Sequence, residues 1–144
     1  GHYYLVGNHE NYDDMSTLRV DRIAHITVLN ERRKPLREIK GYQQQRTFNV
    51  SQYVKEHIYM FGGESITVTF KARRSIVNQI LDWFDGNVEF TNITADNVVC
   101  RVRVNHDAFK YWALQYMQSV KVLTPASLVT EVKAAIEEGL HQYS

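Results

Sequence analysis

Cysteine, proline and long apolar runs are scarce in this chain, and each scarcity removes a class of protein. A lone cysteine, Cys100, leaves no internal disulfide and no Cys-rich zinc site. No apolar run approaches the roughly 20 residues that span a bilayer, and the N-terminus lacks the layout of a signal peptide. A cytoplasmic protein without a membrane partner is therefore expected. Charge of one sign is missing as well: 17 Lys plus Arg against 16 Asp plus Glu leave +1. Whole-chain electrostatics thus does not make a nucleic-acid binder, although local patches remain open. What is present is a globular composition, 44% apolar and 12% aromatic over 144 residues. That length suits one ordinary domain or two small ones.

Signatures of catalysis are missing too. The six histidines, His2, His9, His25, His57, His106 and His141, show no metal-ligand spacing. There is no glycine-rich phosphate loop and no G-x-S-x-G elbow. Cys100 falls at a core-facing strand position, where thiols are usually inert. Asp13-Asp14 reads as a solvated turn. No catalytic residue, metal or cofactor is expected, and the chain reads as a non-enzyme.

Charge is distributed unevenly. Between Arg19 and Lys40, seven basic residues (Arg19, Arg22, Arg32, Arg33, Lys34, Arg37, Lys40) face three acidic ones (Asp21, Glu31, Glu38), a local +4. Such asymmetry often separates a binding region from a solvated scaffold. Pro35 and the polar run GYQQQRT (Gly41 to Thr47) mark a boundary between two units. Before it, Tyr3 to Val6 and Leu18 to Leu29 read as strands, the second with an imperfect period that suggests a bulge or bend. After it, Asn49 or Ser51 caps a short helix with Tyr53, Val54, His57 and Ile58 on one side, ended by Gly62-Gly63.

The remainder is more regular. Ile66, Val68 and Phe70 alternate with Thr67 and Thr69 in a half-buried strand. Ile76, Val77, Ile80, Leu81 and Phe84 form a helical stripe, and Asp85-Gly86-Asn87 turns the chain. NVEFTNI and VVCRVRV pair through the hairpin turn TADN; Val98, Cys100, Val102 and Val104 point inward, Arg101 and Arg103 outward. Asn105 or Asp107 caps a helix with Phe109, Trp112, Ala113, Tyr116 and Met117 on its apolar face. Val120 to Leu123 is a strand. A last helix opens at Pro125 and buries Leu128, Val132, Ala135 and Ile136. Strand, helix, strand, strand, helix, strand is the split βαβ order of a ferredoxin-like βαββαβ sandwich with an extra C-terminal helix, an α+β fold. RNA-recognition modules of that fold stack bases on sheet aromatics. Here the outward residues are Thr67, Thr69, Val99, Arg101 and Arg103, so no stacking platform exists. Those arginines suit either cross-strand pairing with Glu89 or an anionic ligand.

Tyr3-Tyr4-Leu5, followed a dozen residues on by LRVDRI (Leu18 to Ile23), resembles the WYL domain of bacterial transcription regulators, whose pattern is Trp-Tyr-Leu and then Arg-x-Phe-Arg-x-Asp-Arg-Ile. Arg19, Asp21, Arg22 and Ile23 match; Tyr3 stands for the Trp, Ser16 for the first arginine and Leu18 for the Phe. The stretch from FNVSQYVKEHIYMFGGE to the last helix is similar to the C-terminal extension domain of such regulators. The resemblance implies residues 1–34 as C-terminal strands of a truncated SH3/Sm-like barrel, 35–63 as a linker with a short helix, and 64–144 as the ferredoxin-like extension domain. It further implies that barrel strands and a helix-turn-helix precede this chain in a longer regulator. Open barrel edges would then leave residues 1 to about 30 either paired with another chain or disordered.

WYL domains are regarded as sensors. The resemblance implies a homodimer that binds a nucleic-acid or nucleotide-like effector, such as single-stranded DNA or an oligonucleotide, and meets promoter DNA only through the N-terminal domain. Tyr3 and Tyr4 would stack on bases, Arg19 and Arg22 would grip phosphates, and Arg101 and Arg103 would face the ligand from the extension domain. A purely structural dimerisation module and a sensor of a small acidic metabolite are the alternative readings.

Overall fold

A computed structural model describes residues 2–144. It shows a mixed α+β chain with two antiparallel sheets and four α-helices. In chain order these are β1 (Tyr4–Asn8), β2 (Met15–Arg19), α1 (Val50–Glu56), β3 (Ser65–Arg73), α2 (Val77–Phe84), β4 (Val88–Ile93), β5 (Asn97–Asn105), α3 (His106–Gln115), β6 (Val120–Thr124) and α4 (Ala126–His141).

The sandwich follows from its alternation. β3 buries Val68, Phe70 and Ala72, and β5 buries Val98, Cys100, Val102 and Val104. The four strands lie in the order β4-β5-β3-β6, each antiparallel to its neighbour. Ile80 and Phe84 from α2, Phe109, Trp112 and Ala113 from α3, and Leu128 and Val132 from α4 all join the same core, so the helices cover one face of the sheet. None of these helices covers the other face, which α1 approaches at its Arg103 end. Trp112 stands at the centre, with Phe84, Tyr116, Phe70 and Phe109 at ring distances of 4.8, 5.1, 5.4 and 5.5 Å. Cys100 is enclosed, and burial pushes its thiol up to about 11, which keeps it protonated and unreactive at neutral pH.

The turns obey local chemistry. Asp85 (φ 34°) and Gly86 (φ 72°) take left-handed conformations to reverse the chain after α2. Asn105 caps α3, its Oδ1 accepting from the Ala108 N–H at 2.9 Å. Periodicity overstates several apolar faces: Val54, Leu81 and Ile136 are exposed on their helices, and Met117 lies exposed beyond the end of α3.

The N-terminal part departs further from expectation. β1 starts at Tyr4 and runs to Asn8, and β2 ends at Arg19 instead of continuing to Leu29. A 3₁₀ turn over Val20–Arg22 stops it, closed by the Ile23 N–H donating to the Val20 carbonyl. Residues 23–29 have no buried face to alternate against and carry no helix or strand. α1 does not run to the glycines either. It ends at Glu56, and the chain turns through Met60 at φ 54°.

Gly62 instead serves a joint. A Cβ there would lie 2.9 Å from the Met15 carbonyl oxygen, so only glycine lets the hairpin approach. The Gly63 N–H donates to that same carbonyl at 3.2 Å. On the other side, the buried Asn105 Nδ2 donates to the Gly62 and Glu64 carbonyls at 3.1 and 3.3 Å. Hairpin and sandwich thus meet across one short stretch of backbone.

Candidate ligand-binding site

Beside this joint lies a cleft of about 660 Å³ between residues 40–49, α1 and the neighbouring ends of β3 and β5. Its inner wall exists because α1 is amphipathic. Tyr53 is buried and its phenol hydrogen-bonds the Thr17 hydroxyl of β2 at 2.7 Å. Phe48 tilts against Tyr53 at 5.3 Å, and Tyr42 against Phe48 at 5.7 Å. His57 stacks on Tyr53 at 3.8 Å, and its Nδ1–H donates to the Tyr53 carbonyl at 2.8 Å. Met15 and Ile39 complete this small second core. Asn49 caps the helix by accepting from the Gln52 N–H at 2.9 Å.

With its apolar side so occupied, α1 presents Gln52 and Glu56 to the cleft. Gln43 and Gln45 enter from the loop, and the charged lining is balanced: Lys40, Arg46 and Arg103 against Asp14, Glu56 and Glu64. Side-chain amides both donate and accept, which matches the edge of a nucleobase or a peptide group. Tyr42 contributes a phenol pushed up to about 12, mainly by burial, with Tyr53 and Glu56 adding to the effect and Arg103 opposing it. It is therefore an uncharged donor at neutral pH.

Glu56 and Arg103 are the electrostatic centre. One Glu56 oxygen, Oε1, accepts from Gln52 Nε2 at 2.8 Å and sits 3.4 Å from Arg103 Nε. The Arg103 side chain is 57% exposed while Glu56 is only 14% exposed. A single long contact leaves the outer edge of the guanidinium fork open to an anion.

The six residues expected to bind ligand fall in two groups. Tyr4 and Arg19 are cross-strand partners on the hairpin. Arg19 is engaged internally: Nε donates to Asp21 Oδ1 at 3.0 Å and Nη2 to Oδ2 at 2.6 Å. That bidentate bond holds the Asp21 carboxyl below, and the Arg19 guanidinium above, their usual ranges. Arg22 and Tyr3 are exposed at the same end of the hairpin. On β5, Arg101 lies opposite Thr69 and Glu89, and Arg103 opposite Thr67. Of the six, only Arg103 lines the cleft. Tyr42, Gln43, Gln45, Gln52 and Glu56 line the cleft beside it without being expected there from the sequence. The signal was three consecutive amides between an aromatic and a cation in YQQQR, which reads equally well as a linker.

Residues 63–140, more than half of the chain, match the WCX domain family. The chain belongs to that family. WCX is the C-terminal domain associated with WYL, which agrees with the resemblance of the N-terminal residues to WYL-type regulators. No curated protein matches the chain. The matched stretch begins at Gly63, so the WCX domain starts at the joint and carries Arg101, Arg103 and the open sheet face, while residues 40–56 supply the facing wall of the cleft. Among the described residues no helix is long and apolar enough to cross a membrane.

Proposed function

We propose that this chain is the non-catalytic, ligand-sensing and dimerisation region of a bacterial helix-turn-helix regulator, cytoplasmic, with a nucleic-acid or nucleotide-like effector seated in the cleft between α1 and the WCX sheet. One observation carries the reading. Arg103 reaches the rim of an amide-lined cleft with only one long contact to Glu56, beside the neutral phenol of Tyr42. A guanidinium, a phenol and amides are the donor set for a phosphate attached to a base. Because the cleft lies at the joint, an occupant touches both units and favours one relative arrangement of them. Only such differential affinity transmits a signal.

A second reading, a module that only joins two copies, is favoured by the outer face of the hairpin. Tyr3, Leu5, Leu18 and Val20 are 85%, 48%, 52% and 46% exposed on one side of it. Apolar clusters of this kind commonly mark protein interfaces.

Fluorescence anisotropy of a labelled single-stranded decamer with the full chain separates the two. Arg103→Ala is expected to weaken binding roughly tenfold or more, the value of a hydrogen bond to a charged group. Glu56→Gln, which releases Arg103 from its internal partner, is expected to tighten it. Absence of binding by the unaltered chain, or indifference to both substitutions, defeats the cleft reading.

A further inference from the structure

The open face of the WCX sheet carries far more positive charge than the chain as a whole. Its outward positions hold Lys71 and Arg73 on β3, Arg101 and Arg103 on β5, and Lys121 on β6, against Glu89 on β4. Five cations and one carboxylate give this face +4, in a chain whose total is +1. Arg103 is held by Glu56; Lys71, Arg73, Arg101 and Lys121 make no ion pair among the described residues. Lys71 and Lys121 are direct cross-strand partners. Like charges opposed in this way destabilise a sheet, so the pair is a cost to folding that its own sheet does not offset. Counter-charge from outside would relieve it.

We infer that this face is a second binding surface, a track for the phosphodiester backbone of a nucleic acid running away from the cleft. The inference deepens the proposed function and rests on it for the class of ligand. Residues two apart on a strand lie about 7 Å apart, and diagonal neighbours on adjacent strands about 7–8 Å. Arg103, Arg101, Lys71 and Lys121 therefore form a stepped line across the sheet, reaching several successive phosphates where the cleft holds one. No aromatic residue occupies the face, so bases are not stacked there and contact is with phosphates alone, independent of base sequence. A second copy of the chain does not fit face to face, because it would oppose cation to cation.

The test is a salt titration of the full chain with a labelled 12-nucleotide oligothymidylate and, separately, a 12-base-pair duplex. Five phosphates, four neutralised by Lys71, Arg73, Arg101 and Lys121 and one by Arg103 at the cleft, predict a log–log slope of about −3.5 for the single strand and about −4.5 for the duplex. Comparing the affinities of the two probes identifies which form the face takes. Lys71→Gln with Lys121→Gln is expected to reduce the single-strand slope to about −2.1. Lys71→Glu is expected to lose strand binding while its urea midpoint stays level or rises, because Glu would pair with Lys121; this separates lost binding from lost folding. Replacing thymine by adenine is expected to leave the slope unchanged. Unaltered slope and affinity in the Lys71 variants overturn the inference. So does binding confined to phosphatidylserine vesicles. If Lys71→Glu has no effect while Arg103→Ala weakens binding, the track fails and the cleft reading stands; the reverse pattern leaves the track and removes the cleft.

Discussion

Trp112→Ala is expected to cost about 3–5 kcal/mol, the range for deleting a large aromatic from a closed core. Trp112 is fully buried against Phe70, Phe84, Phe109 and Tyr116. Those rings are themselves confined by sheet and helix, so they cannot collapse into the space. A total stability of about 5–15 kcal/mol leaves little after such a loss. Trp112 also carries an orphan: its indole N–H is buried without a hydrogen-bond partner. Trp112→Phe removes that unmet donor along with part of the ring, and the two effects oppose each other. It is expected to cost well under half as much as the alanine. Urea unfolding followed by far-UV circular dichroism measures both, and a phenylalanine variant as unstable as the alanine variant would contradict this expectation.

Asn105→Ala is the second large effect, about 2–4 kcal/mol, the sum of two roles played by one side chain. Oδ1 caps α3, worth about 1 kcal/mol. Nδ2 donates to the Gly62 and Glu64 carbonyls at the joint; the Glu64 carbonyl keeps the His106 N–H at 3.1 Å, so the loss falls on the part-buried Gly62 carbonyl, and an acceptor left without its donor costs about 1–3 kcal/mol. Asn105→Asp keeps the cap but aims a carboxylate oxygen at those two carbonyls, so it is expected to be no more stable than the alanine variant. Chemical denaturation of the three proteins, with limited proteolysis across residues 60–64, reads the global and the local consequence. An aspartate variant as stable as the native protein would confine Asn105 to capping.

The contrast between the two halves shows what a sequence can disclose. In the sandwich, alternation along β3 and β5 is imposed by a core on one side and solvent on the other, and the residues write that period out. Turn and cap chemistry was equally legible at Asp85, Gly86 and Asn105, where a left-handed backbone or an orphan N–H demands a particular residue. The N-terminal part buries few side chains, chiefly Met15, Ile39 and Tyr53. No strong period is imposed on Leu18 to Leu29, and the imperfect alternation there marks the end of β2 at Arg19 instead of a bulge within a longer strand. Gly62-Gly63 looked like a helix stop because close backbone approach to Met15 leaves the same residue type behind. The cleft was the least visible. Its polar lining comes from a loop, a helix and a strand far apart along the chain, and only folding places Tyr42 near Arg103.

Photocrosslinking tests the central claim, that an anionic, base-bearing ligand sits in the cleft beside Arg103. A single strand carrying 5-iodouracil is irradiated with the full chain, and the adducts are mapped by peptide mass spectrometry. A ligand so placed gives adducts within residues 41–56, on Tyr42 above all, that disappear in Arg103→Ala. Adducts confined to Tyr3 and Tyr4 on the hairpin, or none above an unlabelled competitor, would contradict it.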